Sequence, residues 1–140
     1  MKNIQMRHKG EDMGEFNSVL TLQQMVFDKI QFERKGFKNS NDVEFELQVQ
    51  IGVSDEGAYK VTLVLNSVKK DEYDIIISLT GFFSIDKKIE DRTREILINK
   101  NAVAILMPYL RSELSLLTAQ PNTECIVLPP FNINKMLEKS

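Results

Sequence analysis

The 140-residue sequence contains one cysteine, one histidine and no tryptophan, and only six glycines and four prolines. Each shortage closes off a class of protein. A single cysteine, Cys125, cannot form an internal disulfide, and it fits a reducing compartment. It lies between Glu124 and Ile126, an acidic and apolar setting that does not favour a thiolate. The lone histidine, His8, sits in a polar N-terminal stretch, where a solvated side chain is the better reading than a catalytic base. No Cys/His pairing has metal-ligand spacing, and there is no P-loop, GxGxxG or GxSxG motif. An excess of one charge is missing as well. Eighteen Lys and Arg stand against 20 Asp and Glu, a net charge of −2, with no polybasic run. Nucleic acid and anionic membrane are therefore not expected partners. No apolar run approaches the ~20 residues of a membrane-spanning helix, and the first residues lack a signal-peptide apolar region. The expected location is the cytoplasm. With no convergent polar site to assemble, the chain is expected not to be an enzyme, and to use no cofactor and no metal.

What the chain does have is alternation. Residues 43–53 place Val43, Phe45, Leu47, Val49, Ile51 and Val53 on one face of a strand and Glu44, Glu46, Gln48 and Gln50 on the other. A turn at Asp55, Glu56 and Gly57 leads into Tyr59, Val61, Leu63 and Leu65, which continue the apolar face. A second polar turn at 69–72 precedes residues 73–85, where Ile75, Ile77 and Leu79 share one side. Gly81 marks a bulge or a close backbone approach. Residues 19–34 contain a further strand, with Val26, Ile30 and Phe32 opposed to Phe27, Lys29, Gln31 and Glu33. Residues 35–41 form a turn or crossover loop, in which Phe37 is the lone aromatic. The reading is a flexible N-terminal arm over residues 1–18 and one domain over residues 19–140. Its four antiparallel strands form a meander with one apolar face that needs a cover.

Residues 102–120 supply the cover. Val103, Leu106, Leu110, Leu114 and Leu117 form one apolar stripe at helical spacing. Ala102, Ile105, Tyr109 and Leu116 form another, roughly 100° around the axis. Arg111, Ser115, Thr118 and the small Ala104 are left for a wet face. One stripe suits the sheet. The other requires a second partner, either another helix of this chain or the same helix of a second copy. Asn101 is the expected N-cap, Pro108 sits inside the helix, and Pro121 and Asn122 end it. A short amphipathic helix over 90–98 leads in, and a last short helix spans 132–139.

Apolar residues also occur where loops are normally polar. These are Phe37 in the crossover loop, Phe82 and Phe83 at the end of the last strand, and Ile126, Val127, Leu128 and Phe131 after the long helix. Ile133, Met136 and Leu137 follow on the last helix. Singly, each can close the core. Together they exceed what a small rim needs, and a large exposed apolar patch is a binding site.

Three blocks in this order resemble the SecB-type protein-export chaperones. They are GFFSI at 81–85, MPYLR at 107–111 and LPPFN at 128–132, and the resemblance runs over about residues 19–139. It implies an α+β, SecB-like fold: a four-stranded antiparallel sheet with a crossover loop, covered by a long helix, plus a short C-terminal helix. It implies an ATP-independent holdase that binds unfolded or precursor polypeptides in apolar grooves. Phe37, Ile126, Leu128, Phe131, Ile133, Met136 and Leu137 would lie at or near the groove. It further implies a homo-oligomer, a dimer or a dimer of dimers, with Ile105, Tyr109, Ser112 and Leu116 at the interface. Members of the family also dock a translocation ATPase on an acidic outer sheet face. Here Ile76 stands where that face needs an acid, and the acidic tail is missing, which argues against that partner. The alternative is a SecB-like module dedicated to one client, for example an antitoxin, with no export role.

Overall fold

The computed structural model describes residues 20–54, 57–86 and 90–131. The expected arm at 1–18, the expected helix at 132–139 with Ile133, Met136 and Leu137, and the turn residues Asp55 and Glu56 lie outside the described residues. Four strands, β1 (Leu20–Arg34), β2 (Val43–Val53), β3 (Ala58–Lys69) and β4 (Tyr73–Ile85), form one antiparallel sheet. Its order is β1-β4-β3-β2. The meander therefore covers only β2 to β4. The loop after β1 carries the chain across the sheet end, so that β1 pairs with β4 and not with β2, the pattern of a Greek key. Chemistry explains the choice. β4 is the most apolar strand, with Tyr73, Ile75, Ile77, Leu79, Phe83 and Ile85 all buried, and it gains most from neighbours on both sides.

The residues facing the cover form cross-strand rows: Phe32–Ile75–Ser67–Phe45, then Ile30–Ile77–Leu65–Leu47, then Phe27–Leu79–Leu63–Val49. This corrects the alternation read in β1. The register shifts twice, between Leu22 and Gln24 and between Phe27 and Lys29. Each β-bulge adds a residue and turns the following side chains over. Phe27 therefore joins Ile30 and Phe32 on the covered side, while Val26, opposite Thr80, faces outward. The second bulge residue, Asp28, has a use. Its carboxylate accepts from Thr80 Oγ1 at 2.9 Å, and Thr80 and Thr62 hydroxyls pair at 2.9 Å across the outer face. Burial would raise the Asp28 carboxyl, but the hydroxyls of Ser78 and Thr80 hold it below the usual value.

Beyond β4 the chain is helical from Asp91 to Thr118. Helix α1 (Asp91–Leu97) runs through a π turn (Ile98–Ala102) into helix α2 (Val103–Thr118). Asn101 therefore lies inside a continuous helix and caps nothing. Residue 102 stands before α2 in the αR conformation, with no side-chain cap bond. The first stripe behaves as expected: Val103, Leu106, Leu110 and Leu114 are buried against β3 and β4, with Leu117 packed on the same core. Ala102 joins them and leaves the second stripe. Gly81 permits this packing. A Cβ there would stand 2.8 Å from Leu106 Cδ2 and 2.9 Å from Phe83 Cε1, so Gly81 makes room for two side chains, and the register shows neither a bulge in β4 nor a close backbone there.

Candidate functional site

The crossover loop at residues 35–42 is short of secondary structure but not of bonds. Its anchor is Glu72, in the turn between β3 and β4, whose side chain has no exposed surface. The Glu72 backbone carbonyl accepts from Lys35 N at 2.8 Å and Gly36 N at 3.2 Å. Its carboxylate accepts from Asn39 N at 2.9 Å and pairs with Lys69 Nζ at 3.0 Å. The side-chain amides of Asn39 and Asn41 donate to Lys70 O at 3.0 and 2.8 Å. Gly36 lies so close to the turn that a Cβ would stand 2.2 Å from Asp71 O. The polar turn read at 69–72 is thus partly interior, since Lys69 and Glu72 are buried to hold the loop. Burial would raise the Glu72 carboxyl, but the Asn39 N–H and the Lys69 ammonium pull it below its usual value. Beside it, burial pushes the Tyr73 hydroxyl up to about 12, with Glu72 and Glu124 adding to the effect. On the outer face, Asp74 and Glu33 flank Lys35 and hold its ammonium above the usual value.

This clamped loop holds one large apolar side chain away from the protein: Phe37 is 84% exposed. A phenyl ring so presented on a tightly bonded loop is not a core residue.

The second candidate wall follows α2. Arg111, Ser115 and Thr118, read as a wet face, instead fasten this segment. Ser115 Oγ donates to Ile126 O at 2.8 Å, and Ile126 N donates to Thr118 Oγ1 at 2.9 Å. Thr118 is fully buried. Arg111 Nε reaches Leu128 O at 3.4 Å. The clips set an alternation in an extended stretch. Ile126 and Phe131 are half-buried against the core, Leu128 is 1% exposed within it, and Val127 stands 72% exposed. Leu128 is therefore a peg that holds the segment, and Val127 offers the free surface. In the sequence Val127 is one of the apolar loop residues and has no expected groove role. The i, i+1 turnover of an extended segment was the signal that could have found it. Phe82 is exposed at the sheet end, whereas Phe83 is buried.

The third surface is the free side of α2. Ile105 is 36%, Tyr109 46% and Leu116 68% exposed, with Ser112 exposed between them. Nothing among the described residues covers this stripe. Among the described residues, no helix is long and apolar enough to cross a membrane.

A four-stranded antiparallel sheet with one long helix across it is a SecB-like fold. The comparison that carries this is with a solved structure, the Mycobacterium tuberculosis SecB-like chaperone Rv1957 in complex with a ChAD peptide from the HigA1 antitoxin. The two superpose with a TM-score of 0.64 over 85% of this chain and 95% of that one, at 13% sequence identity. A Streptococcus agalactiae protein of unknown function aligns over 79% of this chain with a TM-score of 0.41 and 15% identity. By sequence, 61 residues are 36% identical to an uncharacterized protein of Methanocaldococcus jannaschii, spanning 44% of this chain and 39% of that relative's length. No family model matches the sequence.

Proposed function

We propose that this protein is an ATP-independent holdase that binds unfolded or precursor polypeptides along an apolar surface walled by residues 35–42 and 121–131. The observation that carries the reading is Phe37, an exposed aromatic on a loop held by a fully buried carboxylate. A phenyl ring left in water on a preformed loop contributes almost nothing to folding within the chain. A client supplies the burial. Burying an apolar side chain contributes about 1.5–3 kcal/mol, and a loop already ordered loses little freedom on binding. Phe37, Val127 and the flanks of Ile126 and Phe131 are the contacts, with Leu128 as the core peg behind them. Ile133, Met136 and Leu137 extend the same surface in this reading.

The uncovered stripe of Ile105, Tyr109, Ser112 and Leu116 is the oligomer interface in the same proposal, joining copies into a dimer or a dimer of dimers. Several grooves on one particle convert weak apolar contacts into firm holding by raising effective concentration. The test is suppression of aggregation of several unrelated unfolded proteins at near-stoichiometric amounts, without nucleotide. No protection of any of them removes the holdase reading.

A second reading has support of its own. The similar SecB-like chaperone is in complex with an antitoxin peptide, which supports the reading that this protein serves one dedicated client. Under that reading a pulldown returns one partner in stoichiometric amount, and unrelated clients gain no protection. Delivery to a translocation ATPase is the weaker extension. The outer face carries Glu33, Asp74, Glu44 and Glu46 at one end, but Ile76 interrupts it between Gln31 and Asn66.

A further inference from the structure

The two loops are built on different elements, and Arg34 and Thr123 are 89 residues apart in sequence, yet the Arg34 side chain touches both loops. Arg34, the last residue of β1, donates from one terminal nitrogen of its guanidinium to Gly36 O at 3.0 Å, in the crossover loop. The other terminal nitrogen donates to Thr123 Oγ1, at the start of the segment after α2. Thr123 in turn donates to Pro121 O at 3.2 Å, within the turn that ends the helix. The fork is itself held in place: its carbon lies 5.3 Å from the centre of the Phe32 ring, and that ring packs 5.3 Å from Tyr73. Phe32 belongs to the covered face of the sheet, so the bridge stands on the core. A planar guanidinium can serve two acceptors at once from a fixed geometry, whereas an ammonium acts as a point charge on a flexible stem.

We propose that Arg34 is a positioning residue that ties the crossover loop to the segment after α2, so that the two apolar walls open and close as one unit. This rests on the client-binding reading above for its purpose, but the tie itself does not need a client to be tested. If the walls are coupled, an opening in either loop loosens the other. A client that engages Phe37 then also fixes Val127, and the two contacts cooperate.

The first arm uses the full chain without client. Amide hydrogen exchange is followed for residues 35–41 and 121–127 in wild type, Arg34→Gln, Arg34→Lys and Thr123→Val, with the strands as the internal reference. Thr123→Val touches only the second segment. The proposal expects it to speed exchange in both segments, by roughly threefold to tenfold, with strand exchange unchanged. Arg34→Lys should behave as Arg34→Gln, because the fork and not the charge makes the tie. Faster exchange confined to residues 121–127 in Thr123→Val overturns the proposal, and so does full restoration by Arg34→Lys. The second arm measures affinity for one permanently unfolded client in Phe37→Ser, Val127→Ser and the double variant. Coupling predicts losses that are non-additive in wild type and additive in the Arg34→Gln background. Two single variants that bind as wild type would sink the client-binding reading, while the exchange arm would still decide the tie. Losses already additive in wild type would overturn the coupling and leave the groove in place.

Discussion

Replacing Phe37 with serine separates a binding residue from a core residue by magnitude. The ring keeps 84% of its surface open in the folded chain, so folding buries almost none of it. Its removal should change stability by no more than the ~0.5 kcal/mol usual for surface substitutions. Fully burying a phenylalanine is worth about 1.5–3 kcal/mol. A client that covers the open part of the ring therefore gains about 1.3–2.5 kcal/mol, and its loss weakens binding roughly 10- to 70-fold. Leu128 is the control with the opposite signature. It is buried beneath the second segment, and Leu128→Ser should cost about 2–5 kcal/mol of folding stability. The assay is a urea melt paired with fluorescence anisotropy of a labelled, permanently unfolded client. A Phe37→Ser protein that melts markedly earlier and whose folded fraction binds as wild type would make Phe37 structural and remove it from the client surface.

Further outcomes follow from the geometry. Tyr109→Asp or Leu116→Asp places a charge on the uncovered stripe of α2, and light scattering should report dissociation while circular dichroism stays native; wild type that is monomeric at micromolar concentration contradicts the interface. Gly36→Ala drives a Cβ to 2.2 Å from the Asp71 carbonyl oxygen, so the crossover loop must shift. A loss of about 1–3 kcal/mol in the urea melt is expected, and an unchanged melt would show that the loop is not clamped as described. Stability should respond to pH at both ends. The Glu72 and Asp28 carboxyls are depressed in the folded chain, so their contribution is present above their ordinary values of 4.5 and 3.8 and is lost as pH falls below them. The Tyr73 hydroxyl is raised to about 12, so between pH 10 and 12 only the unfolded chain releases its proton, and stability should fall by about 2–3 kcal/mol across that window. Tyr73→Phe should flatten the alkaline limb, and an alkaline limb unchanged by that substitution would contradict the assignment.

The elements most visible in the sequence were those fixed by short-range pattern. The period-2 runs of β2 and β3 survive in the sheet because both strands pair without a bulge. The first stripe of α2 is visible for the same reason, since one helix face packs on one sheet. β1 departs from its sequence pattern because a bulge at Asp28 shifts the period by one residue, and its compensation comes from Thr80, 52 residues away. Nothing local announces it. The placement of β1 beside β4 is likewise a decision made by burial across the whole sheet. Glu72 and Lys69 looked like a solvated turn because charged residues usually are, and only the crossover loop folded over them makes them interior. Arg111, Ser115 and Thr118 looked wet because their acceptors and donors are backbone groups of a segment that returns along the helix. Loop residues with apolar side chains were visible as a group, but which of them point outward was not. Phe37 and Val127 are exposed, while Leu128 is buried, because the clips from α2 set the phase of the extended segment.

The most direct measurement of the central claim is binding of matched folded and unfolded forms of several unrelated proteins, the unfolded forms locked by reduction and alkylation, to wild-type protein and to Phe37→Ser without nucleotide. A holdase with Phe37 on its client surface should bind every unfolded form at micromolar affinity or tighter and none of the folded forms, with a roughly 10- to 70-fold loss in the variant. Binding to no unfolded form, or equal binding by wild type and variant, would contradict the claim.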